Sequence, residues 1–187
     1  MTTQRWDASM LRQQAKANWW LPGLGAKGPL PELQRELQLF GQLVGDWEIF
    51  SGPSVPKPAG ADTAGGEVHV AWVLGGTAVQ DIWGPLDPAS RCLVPHGTTL
   101  RFYDRDLGAW RSTWLSPYQR AVRSFIGRRV GREIVLRERG RGEMGEHWIF
   151  SDLTPASFRW RAETRSHPGR PRKITEDYWI RRKRRVR

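Results

Sequence analysis

The chain has 187 residues, enough for one domain with a substantial core, and its single cysteine, Cys92, excludes an internal disulfide framework and fits a reducing, cytoplasmic setting. Its formal charge of +11 is concentrated at the end, where six of the seven residues Arg181–Arg187 are basic, so the body of the chain carries no strong nucleic-acid signal. No apolar run approaches the roughly 18 residues of a membrane-spanning helix, the first thirty residues lack signal-peptide patterning, and no membrane role is expected. Eleven tryptophans call for either a densely packed core or a cavity walled with aromatic rings.

Residues 1–30 read as an N-terminal helical extension. Arg5–Trp20 can form a helix with Trp6, Met10 and Leu11 on one side, broken by the Pro- and Gly-rich run over 21–29. Trp19, Trp20 and Leu21 are too apolar for a free tail; they are expected to dock on the body, as a lid or at a homodimer contact. A second helix is expected near 31–43. Pro31 suits a first turn, Glu32 the positive end of the helix dipole, and Leu33, Leu37, Phe40 and Val44 form an apolar stripe. Gly45 can end it at positive φ, and Trp47 and Ile49 then alternate with Glu48 as in a half-buried strand.

From there ten strand-like segments follow, near 46–51, 66–74, 77–84, 97–104, 109–115, 120–126, 132–138, 145–151, 156–163 and 172–181. Turn-forming runs separate them, among them Gly75-Gly76, Ser116-Pro117 and Gly127 to Gly131. Short connections argue for an antiparallel meander, and so many strands in up-and-down order would leave two long edges unless the sheet closed on itself. The expected fold is mainly β: a closed antiparallel up-and-down barrel with one or two N-terminal helices, spanning 31–182 and followed by a basic tail at 183–187.

Leu43-Val44-Gly45-Asp46-Trp47, the stretch Ala71 to Trp83, and Gly97 to Asp104 resemble, in order and spacing, the calycin-like bacterial DUF1579 family. The resemblance continues through Trp110 to Trp114, Trp148 to Thr154 and Ser157 to Glu163, and covers residues 33–182. It implies a lipocalin-like barrel enclosing a cavity for a small, largely apolar ligand. It also implies that Trp47 stacks under a cation from the last strand, with Arg181 or Arg182 placed to supply it. The chain departs from the family pattern at its last hairpin, Ser166-His167-Pro168-Gly169-Arg170-Pro171, where many relatives carry Asp-Gly-Gly, and in its extra first thirty residues.

In a barrel one face of each strand lines the lumen, and the candidate pocket walls are rows that mix aromatics with a charge. Parity groups Val79, Asp81 and Trp83; Thr99, Arg101 and Tyr103; Trp110, Ser112 and Trp114; and Ile174, Glu176, Tyr178 and Ile180. Sequence alone leaves open which face points inward. The candidate polar or catalytic residues are Asp81, Arg101, Tyr103 and Glu176, with Glu163 behind them; the candidate ligand contacts are His69, Trp72, Trp83, Trp110, Trp114, Trp148, Trp160 and Tyr178. Asp81 and Arg101 sit mid-strand, where they form either a structural ion pair or a polar anchor within an aromatic pocket. Tryptophans around a carboxylate raise its pKa and a nearby arginine lowers it, so their balance decides whether Asp81 serves as acid, base or acceptor.

His69, His96, His147 and His167 do not form a metal signature, although His69 and His147 fall on strands. A haem barrel of the nitrobindin type would carry a Gly-rich repeat after its first-strand tryptophan, which Glu48 to Gly52 do not provide. No phosphate-binding, dinucleotide-binding, nucleophile-elbow or zincin motif occurs, and no cofactor is expected. The functional expectation is a lumen that binds a small, mainly apolar or aromatic organic molecule, as a carrier or as a cofactor-free cyclase, isomerase or dehydratase. The alternative is a polyanion-binding module built on Arg181–Arg187 and the eight arginines between 120 and 141.

Overall fold

Ten strands follow one short helix in the computed structural model, which describes residues 24–53 and 64–183. A single 3-10 turn, Pro31–Leu33, runs into helix α1 (Gln34–Gly41). The strands are β1 (Gly45–Ser51), β2 (Gly66–Val73), β3 (Ala78–Pro85), β4 (Gly97–Asp104), β5 (Ala109–Ser116), β6 (Ala121–Val130), β7 (Glu133–Glu138), β8 (His147–Ser151), β9 (Ser157–Thr164) and β10 (Lys173–Arg182). Each pairs antiparallel with its sequence neighbours, and β10 closes on β1 to complete the barrel. Closure leaves every strand paired on both sides, which disposes of the exposed edges that a ten-strand meander would otherwise carry.

The closing seam explains the first-strand tryptophan. Trp47 lies opposite Arg182 in the β1–β10 register, and the Arg182 guanidinium carbon sits 4.0 Å over the Trp47 ring centroid. The fully buried indole donates from Nε1 to the Leu43 carbonyl at 2.7 Å, so its one polar atom is satisfied. Arg182 is held in place by its Nε, which donates to the Pro155 carbonyl at 2.7 Å. Gly45 has φ of +139°, and a Cβ there would also collide with Arg182 Nη1, so conformation and close approach both require glycine.

Helix α1 closes one end of the barrel. Leu37 and Phe40 are fully buried, and the Phe40 ring meets Trp110 edge-on at 4.8 Å and Phe150 at 5.9 Å. Gly127, which the sequence placed in a turn, lies inside β6 beneath this plug, where an added Cβ would stand 3.4 Å from the Phe40 ring. The turn falls later, at Gly131-Arg132, with Gly131 at φ +59° between the paired Val130 and Glu133. Strand β10 carries an irregularity between Ile174 and Glu176; Ile174 pairs with Glu163, whereas Glu176 pairs with Ala162. Ile174 therefore leaves the row that parity gave it with Glu176, Tyr178 and Ile180.

Residues ahead of α1 lie against the barrel: Gly25 bridges to Val73, Ala26 N–H donates to the Trp72 carbonyl, and Leu30 N–H donates to the Gly76 carbonyl, both at 2.9 Å. Lys183, placed in the tail by sequence, donates its N–H to the Asp46 carbonyl at 2.8 Å and pairs with Glu67. The expected helix over Arg5–Trp20, with Trp19 and Trp20, and the basic residues Arg184, Arg185 and Arg187 lie outside the described residues. Among the described residues no helix is long and apolar enough to cross a membrane.

Candidate binding cavity in the lumen

The inward faces are now defined. β3 turns Val79, Asp81 and Trp83 into the lumen, β4 turns Thr99 and Arg101, β5 turns Trp114, β9 turns Phe158 and Trp160, and β10 turns Glu176, Tyr178 and Ile180. Together they enclose a cavity of about 130 Å³ between the Phe40 plug and the opposite mouth. Exposed Gln119, on the β5–β6 turn, belongs to its lining, so the cavity meets solvent there. That volume suits one aromatic ring, since an apolar cavity of about 150 Å³ holds a benzene.

Asp81 and Arg101 form a buried pair, 6% and 4% exposed, with Arg101 Nη1 donating to Asp81 Oδ2 at 2.5 Å. The Thr99 N–H donates to the other carboxylate oxygen at 2.9 Å, which ties Asp81 to the neighbouring strand. The guanidinium carbon lies 5.2 Å from the Phe40 ring centroid and 5.9 Å from that of Phe150. Among the described residues Arg101 Nε has no partner, and neither does the hydroxyl of Ser112, its cross-strand neighbour. Trp110 Nε1 is likewise unpartnered, so three buried polar atoms share the β4–β5 wall without a hydrogen bond.

Nearer the mouth, five aromatic rings form a collar. Trp83 and Trp114 are 6.1 Å apart, Trp114 and Trp148 6.0 Å, and Trp148 and Trp160 5.6 Å, all edge-on. Tyr178 completes it, stacked on Trp160 at 5.7 Å and 20°. Arg123 reaches in from β6 and donates from Nε and Nη2 to the two Glu138 oxygens, each at 3.0 Å, while Nη1 pairs with Glu146. Glu146 Oε2 also accepts from Trp148 Nε1 at 3.0 Å. Burial works against the Arg123 charge, but the hydrogen bond to Glu138 and the two nearby carboxylates raise its pKa. Burial opposes ionisation of Glu138 as well, yet hydrogen bonds from Arg123 and the Glu146 N–H hold it below the usual carboxylate range.

Glu176 differs. Its hydrogen bond comes from the Tyr178 hydroxyl, 3.2 Å from Oε2, and burial pushes its pKa up. The Tyr178 hydrogen bond and the Arg123 charge oppose that rise, and the Glu146 charge adds to it. Burial, then the Glu176 charge, pushes Tyr178 up to about 12, so its hydroxyl is a donor at neutral pH. The lumen thus offers a protonatable carboxyl beside a neutral phenol, the elements of a proton shuttle or of a hydrogen-bonding anchor.

Of the residues singled out by sequence, Asp81, Arg101, Glu176, Trp83, Trp114, Trp148, Trp160 and Tyr178 come together around the cavity. Four do not. Trp72 and Trp110 point inward but stand at the plugged end, Trp72 against Gly41 and Trp110 under Phe40, and act as core. Tyr103 follows Arg101 on the same row but packs on Trp110 at 6.2 Å, beyond the cavity. His69 lies on the outer wall, where its Nδ1 and Nε2 bridge Asp46 at 2.8 Å and Glu67 at 2.9 Å.

His147 is also outward, next to inward Trp148; burial first, then the charges of Arg172 and Arg137, lowers its pKa to about 4. Glu163 is outside too, bonded to Arg161 at 2.9 Å. Sequence reasoning passed over Arg123 and Glu146, although each shares parity with an adjacent inward aromatic, Phe125 and Trp148. Of the eight arginines between 120 and 141, Arg123 serves the cavity. The exposed Arg120 and Arg129 lie at opposite ends of β6, so the set makes no single basic patch. Among the described residues no group of three or more His, Cys, Asp or Glu is arranged to hold a metal ion.

No family model matches the chain, and no curated protein matches it either. The barrel, its cavity and the chemistry of the lining therefore carry the functional argument.

Proposed function

We propose that this barrel, of the calycin-like kind that the DUF1579 resemblance implies, holds a small aromatic or otherwise apolar organic molecule in its lumen. The Asp81–Arg101 pair serves as a polar anchor at depth, and the aromatic collar grips the body of the ligand. One observation carries the reading: Arg101, 4% exposed and part of the cavity lining, commits Nη1 to Asp81 and leaves Nε unpartnered among the described residues. A guanidinium kept inside an aromatic cavity with spare donor capacity suits a ligand acceptor better than it suits packing.

Binding is common to a carrier and to a cofactor-free isomerase, cyclase or dehydratase. Glu176 and Tyr178 are the residues that would handle a proton if chemistry occurs, because both line the cavity and one carboxyl oxygen already accepts the phenol proton. Native mass spectrometry of freshly purified full-length protein tests the reading. A retained organic mass that is lost in Arg101→Met is the expected result. No retained mass, together with no quenching of tryptophan emission by aromatic probes, would refute it.

A further inference from the structure

We propose that the ligand is an organic cation, a substituted ammonium on an aromatic or similarly compact apolar body, with Glu176 as its counter-charge. The inference rests on the lumen-binding reading above and names its ligand class.

Asp81, Glu146 and Glu176 line the cavity and Glu138 stands behind Arg123, so four carboxylates face two guanidiniums, Arg101 and Arg123. This inverts the balance of a chain whose formal charge is +11. The pairing is also uneven. Arg101 is matched in charge by Asp81, and all three Arg123 nitrogens are engaged by Glu138 and Glu146. Among the described residues Glu176 is left with a neutral phenol as its hydrogen-bond partner, inside a cavity where a carboxylate is costly.

The collar points the same way. The faces of aromatic rings carry negative potential and attract desolvated cations. This wall already holds one: the Arg123 guanidinium lies 5.9 Å from the Trp148 ring centroid and 5.5 Å from that of Phe125. A compact, strongly hydrated ion would lose its water shell against indoles without replacement. A substituted ammonium is weakly hydrated, fits the apolar wall, and still pairs with Glu176. An anionic head at the collar would meet Glu176 and Glu146 with Arg123 already occupied, while the spare Arg101 donor lies deeper, where it suits a neutral acceptor on the ligand's body.

Three probes of matched size separate the possibilities in titrations of the full-length protein near neutral pH, followed by calorimetry and tryptophan emission. Phenyltrimethylammonium is expected to bind about tenfold or more tightly than tert-butylbenzene, which has the same shape without the charge, and benzoate to bind worst. Glu176→Gln is expected to bring the cation-to-neutral ratio down to about threefold or less. Trp160→Leu, which leaves every charge in place, should lower the same ratio by weakening the collar.

Equal or tighter binding of tert-butylbenzene or benzoate overturns the cation assignment while leaving the lumen reading intact. A cation preference that survives undiminished in both variants overturns it as well. Binding of none of the three to folded protein overturns both readings.

Discussion

Replacing Asp81 by alanine tests whether the deep ion pair is a single electrostatic unit. Arg101 would remain 4% exposed, against the Phe40 and Phe150 rings, with its one carboxylate partner gone. Removing one member of a buried pair typically costs about 3–5 kcal/mol, because the remaining charge is stranded. The Thr99 N–H also loses its acceptor, a group whose desolvation alone is worth about 1–3 kcal/mol. The cavity reaches solvent near Gln119, so water can follow the lost carboxylate inward, and the two costs do not add in full. The expected loss is therefore about 3–5 kcal/mol, or a fall in melting temperature of roughly 10 °C for a chain of this length. Urea unfolding followed by tryptophan emission measures it. Asp81→Leu combined with Arg101→Met removes both charges and should recover stability to within about 1–2 kcal/mol of the parent, well short of the sum of the two single losses in the double-mutant cycle. A loss below about 1 kcal/mol for Asp81→Ala, or strict additivity of the two single changes, would refute the reasoning.

Glu176 has its pKa raised by burial, so its stabilising share is fully present below the unfolded-state pKa and is lost as pH rises through the folded-state value. Glu176→Gln should therefore melt about 1–3 °C above the parent near neutral pH and match it below about pH 4; an equal or lower neutral melting temperature counts against the assignment. The charged and titratable groups facing it are Tyr178, Glu146 and Arg123, and Glu146→Gln should lower the Glu176 pKa as read by carboxyl NMR titration. Arg182→Met keeps much of the aliphatic stem but removes the cation over Trp47 and the bond to the Pro155 carbonyl, for an expected cost of about 1–2 kcal/mol in chemical denaturation. Gly97→Ala would drive a Cβ into the Trp114 ring and to within 2.8 Å of the Leu115 carbonyl; it should cost about 1–3 kcal/mol and weaken probe binding, and unchanged affinity would show that Trp114 is not a wall.

The barrel was legible because turn chemistry punctuates the chain so regularly. Positive-φ glycines at Gly75, Gly76, Gly108, Gly131 and Gly140 mark strand ends, and the edge argument then demands closure. The inward face was not legible, and β4 shows why. Its lumen row contains Thr99 and Arg101, whereas Leu100 and Phe102 face out and Phe102 is 43% exposed. Hydrophobic alternation read alone would turn that strand inside out. Depth along the barrel was equally hidden, because parity says which face a residue is on but not how far from the plug. Trp72, Trp110 and Tyr103 share the correct face and still miss the cavity, since α1 and Phe40 fill that end.

The closing seam and the lumen obey different rules. At the seam, Trp47 has its indole N–H satisfied, its ring covered by Arg182, and Phe158 edge-on at 4.9 Å. Backbone conformation, hydrogen bonding and packing agree there, as they should where the only requirement is stability. Inside the lumen they conflict. Among the described residues Arg101 and Ser112 keep unpartnered polar atoms in its deep wall, and Glu176, nearer the mouth, stays where burial disfavours its charge. Each conflict lowers stability and could have been relieved by one apolar substitution on the same strand face. A guanidinium with an unused donor and a carboxylate whose charge burial disfavours, both lining one cavity in a barrel closed and satisfied along its seam, are the expected trace of a site kept for a ligand rather than for the fold.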